Sequence, residues 1–252
     1  MTDWWTALYD DLLADLFLDG ADPAEAGRTA DDLVTLLGLS PGDRVFDQGC
    51  GTGRLSKPLL ARGMRVVGVD LAPHYIARSQ AACADFGDLA HFEVGDIGEF
   101  VPKTLCNAAI SWWTCLGYAP TDAQNVRPLR RAWEALLPGG VYAVDFMNVA
   151  QVLRDFAPSV VRTQTTAEGL VTLERRSQVD LVQGVLHKQW IWTLPDGRVH
   201  SRPSAVRLYM PHELGRLLHE AEFVDLRFFG DSRGTPLTAD SERCIVLARR
   251  PV

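Results

Sequence analysis

Val45-Phe46-Asp47-Gln48-Gly49-Cys50-Gly51-Thr52-Gly53-Arg54-Leu55 reads as an apolar strand running into a glycine loop and a helix, and a second apolar strand closes at Val67-Gly68-Val69-Asp70. A strand, a glycine loop, a helix and then a strand ending on a carboxylate about 20 residues later is a pattern for holding a nucleoside. The glycines answer two demands: a chain reversing from strand to helix needs positive φ, and a ligand comes closer than any Cβ would permit. Their spacing separates one cofactor from another. A dinucleotide loop, G-x-G-x-x-G, would place its third glycine at position 54, where Arg54 stands; the glycine comes one step early, at Gly53. No Lys-Ser/Thr pair follows, which excludes a phosphate loop. With Asp47 two residues before the first glycine, the stretch suits a ligand without a pyrophosphate, carrying an amino acid group on one side and a ribose on the other.

This stretch resembles the class I (Rossmann-like) S-adenosylmethionine-dependent methyltransferases, of the type that act on small molecules. The resemblance implies that Asp47, Gly49, Cys50, Gly51 and Gly53 form the cofactor loop and that Asp70 holds both ribose hydroxyls. A carboxylate suits two vicinal hydroxyl donors because it offers two acceptor oxygens. The next strand, His91-Phe92-Glu93-Val94-Gly95-Asp96-Ile97, ends as the family's adenine pocket does. Asp96 would accept the adenine amino hydrogens, with Ile97 and Leu71 against the ring. Asn107 opens the fourth strand where the family has Asp, and the strand runs into Ser111-Trp112-Trp113-Thr114-Cys115-Leu116-Gly117-Tyr118. Ser111 is implicated at the methionine amino group and at least one of Trp112 and Trp113 in lining the pocket. Leu136-Leu137-Pro138-Gly139-Gly140 followed by Val141-Tyr142-Ala143-Val144-Asp145 matches the family's turn before its fifth strand.

Periodicity and punctuation organise the rest. Trp4, Trp5, Leu8, Leu12, Leu13, Leu16 and Phe17 fall at helical spacing and make an apolar stripe. Asp22-Pro23-Ala24-Glu25 reads as a capping box with proline at the first helical position, and that helix closes at Gly38. From Asp43 onward short strands and helices alternate, which calls for a doubly wound, mostly parallel α/β sheet with helices on both faces. Helix boundaries are legible at Gly63, Asp122 and Pro138. From Val160 to Arg207 the pattern becomes strand-like, with turns at Val182-Gln183-Gly184 and Pro195-Asp196-Gly197. An antiparallel β insertion is expected there, then a helix from Pro211 and two strands, Phe223 to Phe229 and Cys244 to Ala248. The chain therefore reads as one domain: N-terminal helices over 1–40, a cofactor-binding core over 41–150, the insertion over 155–210 and a return to the core sheet over 211–252. By resemblance the sheet has seven strands with the last antiparallel, and the insertion follows the fifth strand and covers the acceptor pocket.

Composition narrows the function classes. The 252 residues carry a net charge of −7 at pH 7, whereas nucleic-acid binding needs clustered Lys and Arg that dominate a face. Five cysteines without C-x-x-C spacing read as small buried residues in a reducing compartment, with no metal site expected. No apolar run reaches membrane-spanning length and residues 1–20 carry acids where a signal peptide has bases, so a cytoplasmic protein without membrane partners is expected.

The implied reaction is methyl transfer from S-adenosylmethionine, leaving S-adenosylhomocysteine, to an N, O or C nucleophile of a small molecule. Candidate bases are Asp145 at the end of the fifth strand, Tyr118 after the fourth, and His187 and Tyr209 in or beside the insertion. Trp190 and Trp192 share one face of a strand, and convergence with Tyr118, Phe146 and Tyr209 would suit an apolar, aromatic or amine-bearing acceptor. The N-terminal helix, with Trp4, Trp5 and Tyr9, reads as a lid over the cofactor or, equally, as a dimer contact or core seam; a homodimer is compatible with it. Two other classes stand beside this one. They are a non-methylating enzyme on the same scaffold, by cyclisation or aminocarboxypropyl transfer, and a protein that binds the cofactor without turnover.

Overall fold

A computed structural model describes residues 4–14, 22–166 and 169–252; Leu16 and Phe17 of the expected apolar stripe lie outside them. Apolar residues alternating along short strands drive the central layer, a sheet of β1 (Arg44–Gln48), β2 (Arg65–Asp70), β3 (Ala90–Val94), β4 (Cys106–Ser111), β5 (Leu136–Met147), β10 (Val224–Phe229) and β11 (Arg243–Arg249). Its order is β10-β11-β5-β4-β1-β2-β3. β1 to β5 are mutually parallel where they pair, and β11 runs antiparallel to both β5 and β10.

Helices cover both faces because both faces are apolar. On one side α3 (Pro23–Leu37), α4 (Ser56–Ala61) and α5 (Pro73–Ala82) bring Leu33, Leu59, Leu60 and Ile76 onto Val45, Val66, Ile110 and Ala143. On the other, α6 (Asp122–Ala135) and α8 (Pro211–Glu220) bring Val126, Leu129, Leu214 and Leu217 onto Phe46, Val69, Tyr142 and Val144. Val45 and Phe46, adjacent in β1, therefore serve opposite cores.

Helix ends follow the sequence signals with two exceptions. The Asp22 carboxylate accepts the Ala24 N–H at 2.9 Å, and Gly38 takes a left-handed φ of 67°. Glu25, however, does not complete a capping box; its carboxylate turns to the Arg54 guanidinium at 2.7 Å, a charged partner that outcompetes a neutral N–H. α6 stops at Ala135, short of the expected break at Pro138, and Leu136 is already extended. Gly68, mid-strand in β2, permits the packing beneath the glycine loop: a Cβ there would meet the Phe92 ring at 2.5 Å and Cys50 Sγ at 2.9 Å. Gly68→Ala is expected to lower stability by about 1–3 kcal/mol through overpacking, read as a drop in the denaturation midpoint with an unchanged m-value.

After β5, a short helix α7 (Val149–Arg154) leads into a four-stranded antiparallel sheet, β6 (Ser159–Thr166), β7 (Gly169–Asp180), β8 (Val185–Thr193) and β9 (Val199–Arg207), paired in that order. Both expected hairpin turns form: Asp180 Oδ1 accepts the Val182 and Gln183 N–H groups, and Gly184 and Gly197 sit at positive φ. β6 adds an edge strand to the three pieces recognised in the sequence. Two short helices, α1 (Trp4–Leu8) and α2 (Asp11–Leu13), seat Leu8 and Leu13 on Val171, Leu173, Trp192 and Leu194 of this second sheet. The insertion is pinned to the core where the Arg207 N–H donates to the Gly117 carbonyl at 2.7 Å.

Candidate active site

The carboxyl ends of β1, β2, β4 and β5 bring together the glycine loop, Asp70, the Trp112–Tyr118 loop and Asp145. Gly49, Gly51 and Gly53 all have positive φ, at 71°, 55° and 81°. The Gly49 and Cys50 N–H groups both donate to the Val69 carbonyl, at 2.8 and 3.1 Å, which folds the loop onto the end of β2. Asp70 then closes it: its two oxygens accept the Gly51 N–H at 2.9 Å and the Ala72 N–H at 3.0 Å. A carboxylate has about four acceptor positions, so two remain for vicinal hydroxyls. Burial pushes the Asp70 carboxyl up, opposed by the Ala72 and Gly51 N–H bonds and by nearby His74.

The loop after β4 presses against the glycines. A Cβ at Gly49 would lie 2.7 Å from Cys115 Sγ. This loop is strained, because Trp113 and Thr114 hold φ of 55° and 66°, a region that opposes L side chains by about 1–3 kcal/mol. Asp145 and Arg243 hold it in place. The Asp145 carboxylate accepts the Trp113 N–H at 2.9 Å and Arg243 Nε and Nη2 at 2.7 and 2.8 Å, while Arg243 Nη2 also donates to Thr114 Oγ1 at 2.7 Å. The Trp113 ring lies 4.3 Å from the Arg54 guanidinium carbon.

Above the loop stands an aromatic group from distant parts of the chain. The Tyr9 and Tyr118 hydroxyls are hydrogen-bonded to each other and their rings stack at 6.2 Å. Trp4 and Trp5 approach Tyr118 at 4.8 and 6.3 Å, and Tyr9 meets Tyr75 edge-on. Tyr75 anchors the segment by donating to the Asp10 carbonyl at 2.9 Å, and Arg78 pairs with Asp11 at 2.6 Å. Burial pushes both phenols well above their ordinary value, and the Asp70 and Cys115 charges add to it.

Residues 45–140 match the family model described as a methyltransferase domain. Over that stretch the chain is similar to a methyltransferase domain. Its fold is that of the CcbJ methyltransferase from Streptomyces caelestis, with a TM-score of 0.80 at 22% identity over 97% of this chain and 98% of that one. It also matches the amino pentose methyltransferase CalS10 from Micromonospora echinaspora, described with S-adenosylmethionine bound, with a TM-score of 0.68 at 21% identity over 92% and 93% of the two chains. In sequence it is 31% identical over 157 residues to a ubiquinone biosynthesis O-methyltransferase of Azorhizobium caulinodans, which covers 57% of this chain. The chain spans 58% of that relative's length.

The residues singled out from sequence separate into several groups. Gly49, Cys50, Gly51, Gly53, Asp70, Tyr9 and Tyr118 surround one place. Leu71 follows Asp70 with its side chain exposed, and the Gly95 N–H donates to the Asp70 carbonyl, which sets Asp96 and half-buried Ile97 beside the same strand end. The third strand stops at Val94, earlier than expected, because Asp96 turns the chain: its carboxylate accepts the Gly98 N–H at 2.7 Å and its carbonyl accepts from Glu99 and Phe100. Asp47 is buried under the loop and accepts the Ser56 hydroxyl at 2.6 Å.

The other residues lie elsewhere or are held by other partners. Trp112 and Ser111 are buried: Trp112 packs into the core with Val45, Leu55 and Leu59, and Ser111 bonds to Tyr142 and Cys115. Tyr209 is in the opposite core, donating to Asp122 at 2.9 Å and accepting from Asn125 at 3.0 Å, with Phe146 against its ring. His187 is exposed on the outer face of the insertion, since its neighbours Leu186 and Lys188 take the inner one. Asp145 accepts one backbone and two guanidinium hydrogen bonds, which ties it to Arg243 and to the loop. The sequence reading missed Arg243, Tyr75, Arg175 and Lys188, none of which lies in a local motif, and gave Arg54 no contact to make. The described residues contain no His/Cys/Asp/Glu group able to hold a metal, and no helix in them is long and apolar enough to cross a membrane.

Burial pushes the Asp47 carboxyl up to about 6, against the Ser56 bond, with Asp70 adding to the rise. The folded state then binds this proton more tightly than the unfolded chain, so stability falls as pH rises from about 4 through 6 and stays lower above it. Asp47→Asn, which keeps an acceptor for Ser56, is expected to remove that fall, on the order of 3 kcal/mol at pH 7. Denaturant titrations of both proteins from pH 4 to 8 check it: parallel curves would mean that Asp47 is ionised throughout.

Proposed function

We propose that this chain transfers a methyl group from S-adenosylmethionine to a nucleophilic atom of a small molecule, in the cytoplasm. The observation that carries the reading is Asp70, half-buried at the end of β2 with two acceptor positions unfilled, facing three glycines at positive φ in a stretch similar to a methyltransferase domain. Asp70 would hold the ribose hydroxyls, exposed Leu71 and half-buried Ile97 the two faces of the adenine, and the Asp96 carboxylate its amino group. The glycine loop and the underlying Asp47 would face the amino acid end. The bound cofactor supplies an already activated methyl group.

What remains for the chain is positioning and exclusion of water. Holding donor and acceptor in line can supply about 7–11 kcal/mol of a barrier, and the Trp4, Trp5, Tyr9 and Tyr118 rings form a cover suited to keeping water out. Neutral phenols serve as wall and hydrogen-bonding group rather than as base. Of the four candidate bases, Tyr118 stays protonated, Asp145 is tied to Arg243, and His187 and Tyr209 face elsewhere. The acceptor suited to this site is therefore already nucleophilic near neutral pH.

Calorimetric titration with S-adenosylmethionine, S-adenosylhomocysteine and NAD tests the cofactor part. Micromolar binding of the first two and none of NAD is expected, followed by S-adenosylhomocysteine release in the presence of an acceptor. Binding of NAD alone, or of none of the three by folded protein, would sink the reading.

A further inference from the structure

The inner face of the insertion carries charge that the rest of the molecule does not neutralise. Cross-strand register places Arg162 of β6, Arg175 and Ser177 of β7, Lys188 and Trp190 of β8, and Arg202 and Ser204 of β9 on the face that also presents the buried Leu173, Leu186 and Trp192. No carboxylate of the insertion itself occupies this face among the described residues; Glu174 and Asp180 point to the other side, where Glu174 pairs with Arg176. Arg202 is neutralised and used structurally, donating to the Ala7 carbonyl at 3.0 Å and pairing with the Asp10 carboxylate at 3.7 Å. Arg175 and Lys188 are not. They flank the Trp190 ring with the Arg175 guanidinium carbon and Lys188 Nζ at 5.6 and 5.8 Å from its centroid, and neither makes an ion pair or hydrogen bond to a described residue.

Such an arrangement has a physical requirement. Arg175 Nε is buried without any partner, and a buried donor left unmet is unfavourable by about 1–3 kcal/mol, more when it is charged. Lys188 is desolvated as well, and burial with the Arg175 and Arg243 charges pulls its ammonium down to about 8. Arg243, of the corner that holds the Trp113–Thr114 loop of the candidate site, is near enough for its charge to act on Lys188. Stacking on Trp190 satisfies none of the N–H donors. A chain of net charge −7 that keeps two such cations apart from all its acids leaves a seat for an external anion.

We propose that Arg175 and Lys188 form an anion seat for the acceptor, so that the molecule methylated by this chain carries a carboxylate held beside Trp190. The seat rests on the methyltransferase reading above and specifies its substrate class. Ser177 and Ser204, directly opposite Lys188 in register, flank it; Ser204 Oγ already accepts Trp190 Nε1 at 2.9 Å, which fixes the ring between the two cations. A planar, apolar body on the carboxylate would extend along Trp190 toward the Tyr118 cover.

The test uses the full chain saturated with S-adenosylhomocysteine, with benzoate and benzamide as a pair of equal shape and different charge. Binding is followed by tryptophan fluorescence and by protection of Lys188 from amine acetylation at pH 8, read by mass spectrometry. Benzoate is expected to bind at least about tenfold tighter than benzamide and to protect Lys188. Lys188→Gln and Arg175→Gln should each erase the preference while S-adenosylhomocysteine affinity stays within about twofold. Equal binding of acid and amide, no protection of Lys188, or a preference that survives both substitutions would overturn the seat. Failure of S-adenosylhomocysteine to bind at all would instead strike the methyltransferase reading, and the same samples report it separately.

Discussion

Arg243→Ala is expected to destabilise the fold by about 3–5 kcal/mol, because it strands a charge. Asp145 is 2% exposed and takes two of its three hydrogen bonds from that guanidinium; removing one member of a buried pair leaves an uncompensated ion, the most unfavourable way to break it. The same change frees Thr114 Oγ1 and loosens a loop held at positive φ, so a lower melting temperature should come with weaker cofactor binding. The double variant Arg243→Met/Asp145→Leu removes both charges and is expected to recover a large part of the stability. Were Arg243→Ala to melt like the parent, Asp145 would have to be neutral or solvated, and its exclusion as a base would fall with it. Asp145→Asn gives a second check, since a positioning residue changes affinity and stability while leaving the pH profile of turnover in place.

Asp70→Ala should weaken S-adenosylmethionine binding by about 1.5–3 kcal/mol, roughly 10- to 150-fold, from the loss of hydrogen bonds to a charged group. In this structure the carboxylate has a second task, since it receives the Gly51 and Ala72 N–H groups and so shapes the glycine loop and the turn that leads into α5. Asp70→Asn separates the tasks: its single carbonyl oxygen retains part of the loop contact but offers too few acceptors for two hydroxyls. The alanine variant should lose both stability and affinity, the asparagine variant mainly affinity. Unchanged calorimetric affinity in the asparagine variant would remove Asp70 from the ribose.

The residues that were legible in the sequence and those that were not differ in how local their determinants are. The glycine loop, the acid closing β2, the hairpin turns and the proline-started helices each depend on backbone conformations that a few neighbouring residues impose. Asp145 shows the limit of such reading. Its position at a strand end fits a base as well as it fits an orienting group, and the choice is made by Arg243, 98 residues away, a partner that no spacing announces. His187 and Lys188 show another. Alternation along β8 is unmistakable, yet which of two adjacent side chains faces inward depends on the sheet's covering by α1 and by the end of β5.

By itself, then, the sequence determined the strand, glycine loop and helix unit, its order in a mostly parallel sheet, and the antiparallel character of the insertion, because φ preferences and apolar periodicity act over a few residues. Tertiary structure alone decided which charges are neutralised and which rings meet. Tyr9 reaches Tyr118 across 109 residues, Asp47 is raised mainly by burial, and Arg175 and Lys188 become an unpaired cationic pair when β7 and β8 pair and the face they share is covered. Desolvation and pairing are properties of what surrounds a group in space, and folding sets those surroundings from parts of the chain that no local window contains.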